Sequence, residues 1–245
     1  AGVVGSAAAL ALAQAGLRVA LVEAHEPAPW RAESPDLRVF ALAADASSFL
    51  QDLDAWPAIS AARAHPYRRM RVWDAAGGSE LVFDAESLGQ PQLGHIVENA
   101  LLVDRLWAAL AREANIARHC PDTLSAFEQD EAGVDVELAS GSRLRARLLL
   151  GADGAHSRVR ELAGIGWRGA SYGQRAIVAY VRTQQSHEDT CWQRFLPTGP
   201  LAVQIERQPV IGGPWVGAEQ LHRDGVMRRG RLERAGRLGA VPGPI

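Results

Sequence analysis

The chain has 245 residues, enough for one large or two ordinary domains. An apolar fraction of 47% and a charged fraction of 22% suit a soluble globular protein, and a net charge of −2 offers no electrostatic ground for a nucleic-acid partner. No apolar run approaches the ~20 residues that span a bilayer, and Cys120 and Cys191 stand alone, which argues against a disulfide scaffold or a zinc site and for a reducing compartment such as the cytoplasm.

Ala1-Gly2-Val3-Val4-Gly5-Ser6 opens inside a G-x-G-x-x-G turn. The first motif glycine and the strand before it are missing, so the chain is expected to be a fragment. An apolar helix pattern follows over residues 7–15, closed by Gly16, and then a strand over 18–22 ending in Glu23. Gly2 would let the backbone approach a pyrophosphate, and Gly5 would let the helix pack closely on the sheet. The helix N-terminus offers free N–H groups and partial positive charge to phosphates. Glu23, eighteen residues beyond Gly5, is placed to accept from an adenosine ribose. A plain helix–strand pair with incidental glycines is the competing reading.

A loop rich in Pro and Ala covers 25–35 and leads into Asp36-Leu37-Arg38-Val39-Phe40-Ala41-Leu42. A helix is predicted over 45–53, capped by Asp45 or Ser47. Residues 70–74 alternate like a strand, Ala75-Ala76-Gly77-Gly78 turns, and 80–83 return as the second arm of a hairpin. Leu93-Gly94-His95-Ile96-Val97-Glu98-Asn99 leads into a helix over 103–114, with Leu106, Trp107, Leu110 and Ala114 at core spacing. Residues 134–138 alternate strictly, turn at 140–142 and pair with an apolar strand over 144–150. Residues 177–181 and 191–195 read as strands of a separate antiparallel layer. From about 209 onward, Gly, Pro and Arg crowd the chain and no periodicity survives, so 209–245 is expected to be irregular.

The apolar run at 148–150 enters Gly151-Ala152-Asp153-Gly154-Ala155-His156-Ser157-Arg158-Val159-Arg160. Its glycines allow a sharp turn and close approach of a ligand. Asp153 can accept from ligand hydroxyls or from the N–H groups of its own loop, and Ser157 can cap a following helix. By itself the segment suits a structural strand–turn–helix equally well.

Taken together and in this order, these motifs resemble the class A flavoprotein monooxygenases, the p-hydroxybenzoate hydroxylase superfamily, and within it the branch that hydroxylates ubiquinone precursors. The resemblance runs from Gly2 to about Val203. It implies an α/β fold: a Rossmann-like FAD-binding domain, its first strand missing, over 1–69 and 95–170. An inserted antiparallel β-sheet substrate domain would take 70–94 and 171–208. It further implies that the motif of Gly2, Gly5 and Glu23 binds the ADP half of FAD and that Arg38 contacts the flavin nucleotide. Asp153 and Gly154 would serve both FAD and the pyridine nucleotide, while Asn99 and Arg105 lie where the second helix approaches the cofactor. The family's third motif, which holds the ribityl chain, has no counterpart in this sequence.

The activity implied is ring hydroxylation of a polyprenylated phenol with NAD(P)H as reductant and O2 as oxygen source, the chemistry residing largely in the flavin. No catalytic triad is visible, so His95, His156 and His187 are not nominated as bases, and no metal site is expected. Trp73, Phe83 and Trp192 are candidates for lining the substrate face. A lipid substrate would call for peripheral contact with the inner membrane or a place in a biosynthetic complex. Two alternatives stay open: a hydroxylase of small soluble phenolics, and a truncated, non-catalytic relative acting as a scaffold. The flavin reading requires the two glycine-bearing turns to converge in space.

Overall fold

The structure, a computed structural model, describes residues 1–170, 173, 175–182, 186–206, 215–222 and 239–240. In chain order the first half contains α1 (Val3–Gln14), β1 (Val19–Val22), β2 (Val39–Ala43), α2 (Ala44–Asp52), α3 (Trp56–Arg63), β3 (His65–Tyr67), β4 (Arg69–Asp74), β5 (Leu81–Asp84), β6 (Gly94–Glu98) and α4 (Asn99–Leu110). There follow β7 (Ile116–His119), β8 (Leu124–Asp130), β9 (Gly133–Leu138), β10 (Arg143–Ala146), α5 (Arg158–Leu162), β11 (Arg175–Arg182), β12 (Thr190–Leu196), β13 (Gly199–Glu206), β14 (Trp215–His222) and β15 (Gly239–Ala240). The elements divide into two compact units. One comprises Ala1–Trp30, Asp52–Ala55 and Leu102–Gly169, the other Arg31–Gln51, Trp56–Leu101 and Ala170–Ile245. Residues 31–51, 56–69 and 95–101, which the sequence groups with the nucleotide-binding part, therefore cluster with the inserted sheet.

In the first unit α1 starts immediately after Gly2 and buries Leu10 completely, a side chain whose removal from water is worth about 1.5–3 kcal/mol. Gly16, at φ +84°, ends it in the left-handed region where a Cβ would be strained. Asn115 then donates its side-chain amide to the carbonyls of Ala13 and Leu17 (2.8 and 2.7 Å), tying down the helix end. The chain turns into β1, which runs parallel to β7 from Val19 opposite Ile116 to Val22 opposite His119. β8, β9 and β10 form an antiparallel sheet, with Val134, Val136 and Leu138 buried on alternate positions as the pattern predicts. Two expectations fail. β10 stops at Ala146, leaving Leu148 and Leu150 68% and 52% exposed: pairing, not apolarity, makes a strand, and these residues have no ladder partner among the described residues. Helix α4 ends at Leu110, so Leu106, Trp107 and Leu110 are buried but Ala114 is exposed.

The second unit holds a seven-stranded sheet in the order β15-β11-β14-β13-β12-β4-β5, antiparallel except where β4 runs parallel to β12. A smaller sheet, β2-β6-β3, is antiparallel throughout. The predicted hairpin is β4–β5, bridged by a bidentate ion pair from Arg71 to Glu80 at 2.6 and 2.8 Å. Both partners are solvated, so the pair adds little to stability. Gly94 is glycine for a steric reason: a Cβ there would sit 2.0 Å from the Leu42 carbonyl oxygen and 2.9 Å from the Tyr67 hydroxyl. Periodicity missed α3 and β3, each too short to show a repeat. It missed β14 and β15 as well, in a stretch expected to be irregular. β14 is hydrogen-bonded along its length to β11 on one side and β13 on the other, so its backbone partners define it. Ser47 does not cap α2; it donates back to the Ala44 carbonyl (2.9 Å), while Asp45 accepts from the Ala46 N–H.

Candidate nucleotide-binding site

The first unit brings the two glycine turns together. A Cβ built on Gly5 would lie 3.5 Å from the Ala152 Cβ and 3.7 Å from its carbonyl oxygen, so the start of α1 rests directly on the loop carrying Asp153 and Gly154. A single methyl would just touch this loop, and anything larger than a methyl would press into it. Gly2 is different. It is extended (φ −75°, ψ −171°), and a Cβ on it would find no heavy atom within 4 Å. Nothing in the fold demands a glycine there, which leaves its open side to a ligand. The first N–H groups of α1 receive no side-chain cap and no acid stands in its first turn, the arrangement that suits an anion.

Glu23 closes β1. Its carboxylate accepts the His25 N–H at 3.1 Å. An ionised carboxylate is an acceptor only, as recognition of ribose hydroxyls requires.

Asp153 is occupied by its own turn. It accepts the Ser157 hydroxyl at 2.5 Å and the Val159 N–H at 3.1 Å. Ser157 in turn caps α5 by accepting the Arg160 N–H at 3.0 Å. Burial again raises the Asp153 pKa and these hydrogen bonds more than reverse it. Gly154 takes φ +82°, a conformation that glycine adopts without strain. Arg105 lies in the same unit, paired with Asp104 at 2.7 Å and set over the Trp30 ring at 5.7 Å.

Arg38 and Asn99 belong to the second unit and meet through their backbones: the Asn99 N–H donates to the Arg38 carbonyl at 2.9 Å. The Arg38 guanidinium is exposed and forms no ion pair among the described residues, so it is not the surface salt bridge that an arginine in a loop usually makes. What holds this segment is a network that sequence reading passed over. Buried Glu98 accepts from Arg63 at 2.8 Å and from the Asp36 N–H at 2.7 Å. Arg63 also donates to the Ala32 carbonyl, and Asp36 accepts the N–H groups of Arg38 and Ala100 at 3.0 Å each. Asp36 thereby caps α4, which is why that helix starts four residues before the predicted 103. The only sequence signal was an acid inside an apolar run at Ile96-Val97-Glu98.

The aromatic candidates split by strand pleat. Trp192 stands opposite Arg71 and shares a face with Trp73, whereas Phe83 stands opposite Met70 on the other face. The three do not line one surface. His95 packs edge-on against Trp56 at 4.7 Å, and burial, with His65 beside it, pushes its pKa down.

The FAD-binding domain family matches residues 1–199. Among curated proteins, the chain is 42% identical over 202 residues to the 3-demethoxyubiquinol 3-hydroxylase of Escherichia coli, covering 82% of this chain and 51% of that protein. It is 36% identical over 203 residues to the ubiquinone hydroxylase UbiL of Rhodospirillum rubrum, covering 82% and 47%. The chain thus spans about half the length of the curated relatives it matches. Among solved structures it resembles PqsL of Pseudomonas aeruginosa, described as a probable FAD-dependent monooxygenase, with a TM-score of 0.70 over 90% of this chain and 58% of that one. At 19% identity that likeness bears on the fold alone.

Proposed function

Because the chain belongs to the FAD-binding domain family, we propose that it is the cofactor-binding part of an FAD-dependent monooxygenase that hydroxylates the aromatic ring of a ubiquinone precursor with NAD(P)H and O2. The observation that carries the substrate class is the 42% identity to a 3-demethoxyubiquinol 3-hydroxylase. Bound FAD would supply the redox chemistry and the activation of oxygen. The chain's own residues bind and orient. The uncapped N–H groups of α1 and the open side of Gly2 receive the pyrophosphate, and Gly5 sets α1 against the second turn. Glu23 accepts from the adenosine ribose. Asp153 holds its loop in shape so that Gly154 and the neighbouring backbone face the cofactor. In the second unit, the guanidinium of Arg38, which forms no ion pair among the described residues, meets a nucleotide oxygen with its planar fork, and Asn99, fixed to Arg38 through the backbone, offers a side-chain amide.

No helix among the described residues is long and apolar enough to cross a membrane. Peripheral contact with a membrane surface, where a polyprenylated substrate would reside, is part of the proposal. The test uses the protein from its complete reading frame. Purified enzyme should carry FAD and oxidise NAD(P)H faster when a demethoxyubiquinol analogue is added, and it should sediment with vesicles containing that analogue. Stimulation by p-hydroxybenzoate alone would point to small soluble phenolics instead, and a protein that neither carries nor takes up flavin would leave only a scaffolding role.

A further inference from the structure

The second unit gathers a cluster with no part in nucleotide binding. His65, at the start of β3, places Nε2 3.0 Å from Oδ1 of Asp189, and His187 places Nδ1 3.7 Å from the same oxygen. The two imidazoles meet edge to face with centroids 4.8 Å apart, and one ligand atom from each of the three residues falls within 4.8 Å of the others. We propose that His65, His187 and Asp189 form a binding site for one divalent transition-metal ion of the zinc class.

The geometry is close to what such an ion asks for. Four ligands about 2.0–2.2 Å from a tetrahedral ion lie roughly 3.3–3.5 Å from one another, and the two measured separations from Asp189 bracket that value. The turn is held before any ion arrives: the Asp189 carbonyl accepts the N–H groups of Arg68 and Arg69 at 2.7 and 3.2 Å, and the Thr190 N–H donates to the His187 carbonyl at 3.0 Å. The histidine side chains are only 12% exposed, while Asp189, at 38%, leaves one side open for a water as fourth ligand. Two nitrogen donors and one carboxylate select zinc, cobalt or nickel over magnesium or calcium.

Two features oppose binding. The Asp189 N–H now donates to His187 Nδ1 at 3.1 Å and would be displaced. The Arg68 guanidinium lies 3.8 Å from Asp189, but on Oδ2, the oxygen turned away from the imidazoles, and it is exposed enough to swing clear. Arg69 is already balanced by Asp84 and Glu188. A bound ion would staple β3 to the turn that begins β12.

Chelator-treated protein is titrated with Co2+ alone, followed by its visible absorption, and then with Zn2+ as competitor. One Co2+ per chain with the intense bands of four-coordination, displaced by Zn2+ and unaffected by excess Mg2+, is the expected result. H65Q and H187Q should each weaken binding by at least about tenfold, since even outer-shell partners contribute that much. Should either variant fail to fold, proton NMR of the parent decides the matter: Zn2+ should shift the ring signals of His65 and His187 alone among the seven histidines. Absence of saturation at one equivalent, equal binding of Mg2+, parent-like affinity in both variants, or shifts at other histidines would each overturn the proposal.

Discussion

Gly5→Val and Gly2→Ala together test whether the two motif glycines have separate duties. At Gly5 a new Cβ lies 3.2 Å from the Ala1 Cβ and 3.5 Å from the Ala152 Cβ. A single methyl is therefore crowded by a few tenths of an ångström, which the roughly 1 kcal/mol gain of alanine over glycine in a helix offsets. Valine adds two carbons about 1.5 Å further out, into the same neighbours, and overpacking of that kind costs about 1–3 kcal/mol. Its own helix propensity returns less than about half a kcal/mol. Gly5→Val should thus lower stability by roughly 1–2.5 kcal/mol and reduce flavin content as a consequence of parting the two turns. Gly2→Ala meets no atom and needs no unusual backbone angle, so stability should stay within about 0.5 kcal/mol while flavin retention falls. Denaturant midpoints at constant slope, read beside the flavin-to-protein absorbance ratio of the complete protein, separate the two effects. Parent-like stability in Gly5→Val, or parent-like flavin content in Gly2→Ala, would refute the division of roles.

Three further outcomes follow from the same structure. Arg38→Ala removes an exposed guanidinium that forms no ion pair among the described residues, so the unfolding midpoint should hold while FAD dissociation quickens; equal loss of both would give Arg38 a structural role instead. Glu98→Gln removes the buried carboxylate that accepts from Arg63 and from the Asp36 N–H and should lower the unfolding midpoint, whereas a parent-like midpoint would contradict the buried pairing. The Asp153 carboxyl titrates below its ordinary 3.8 in the folded protein, so its stabilising effect is present above that pH and is lost as pH falls through the lower, folded value. The stability gap between parent and Asp153→Asn should therefore close below about pH 3.8, and a gap that does not change with pH would count against this turn geometry.

Sequence alone was enough for the features whose cause is local. Gly16 and Gly154 announce left-handed turns because only glycine takes those angles freely, and Val134, Val136 and Leu138 announce a half-buried strand by alternation. The glycine turn, the acid at Glu23 and the Asp153 segment are likewise contiguous motifs, each readable within a dozen residues. Tertiary structure decided what depends on partners distant in sequence. The start of α4 was set by Asp36, 64 residues before Ala100, and the burial of Glu98 by Arg63, 35 residues away. His65 met Asp189 across 124 residues. β14 became a strand and Leu148–Leu150 did not, because a neighbouring ladder was present for one and absent for the other among the described residues. Backbone angles and side-chain alternation are properties of short segments, whereas charge pairing, ligand clustering and strand pairing arise only once the chain has brought remote residues within a few ångströms.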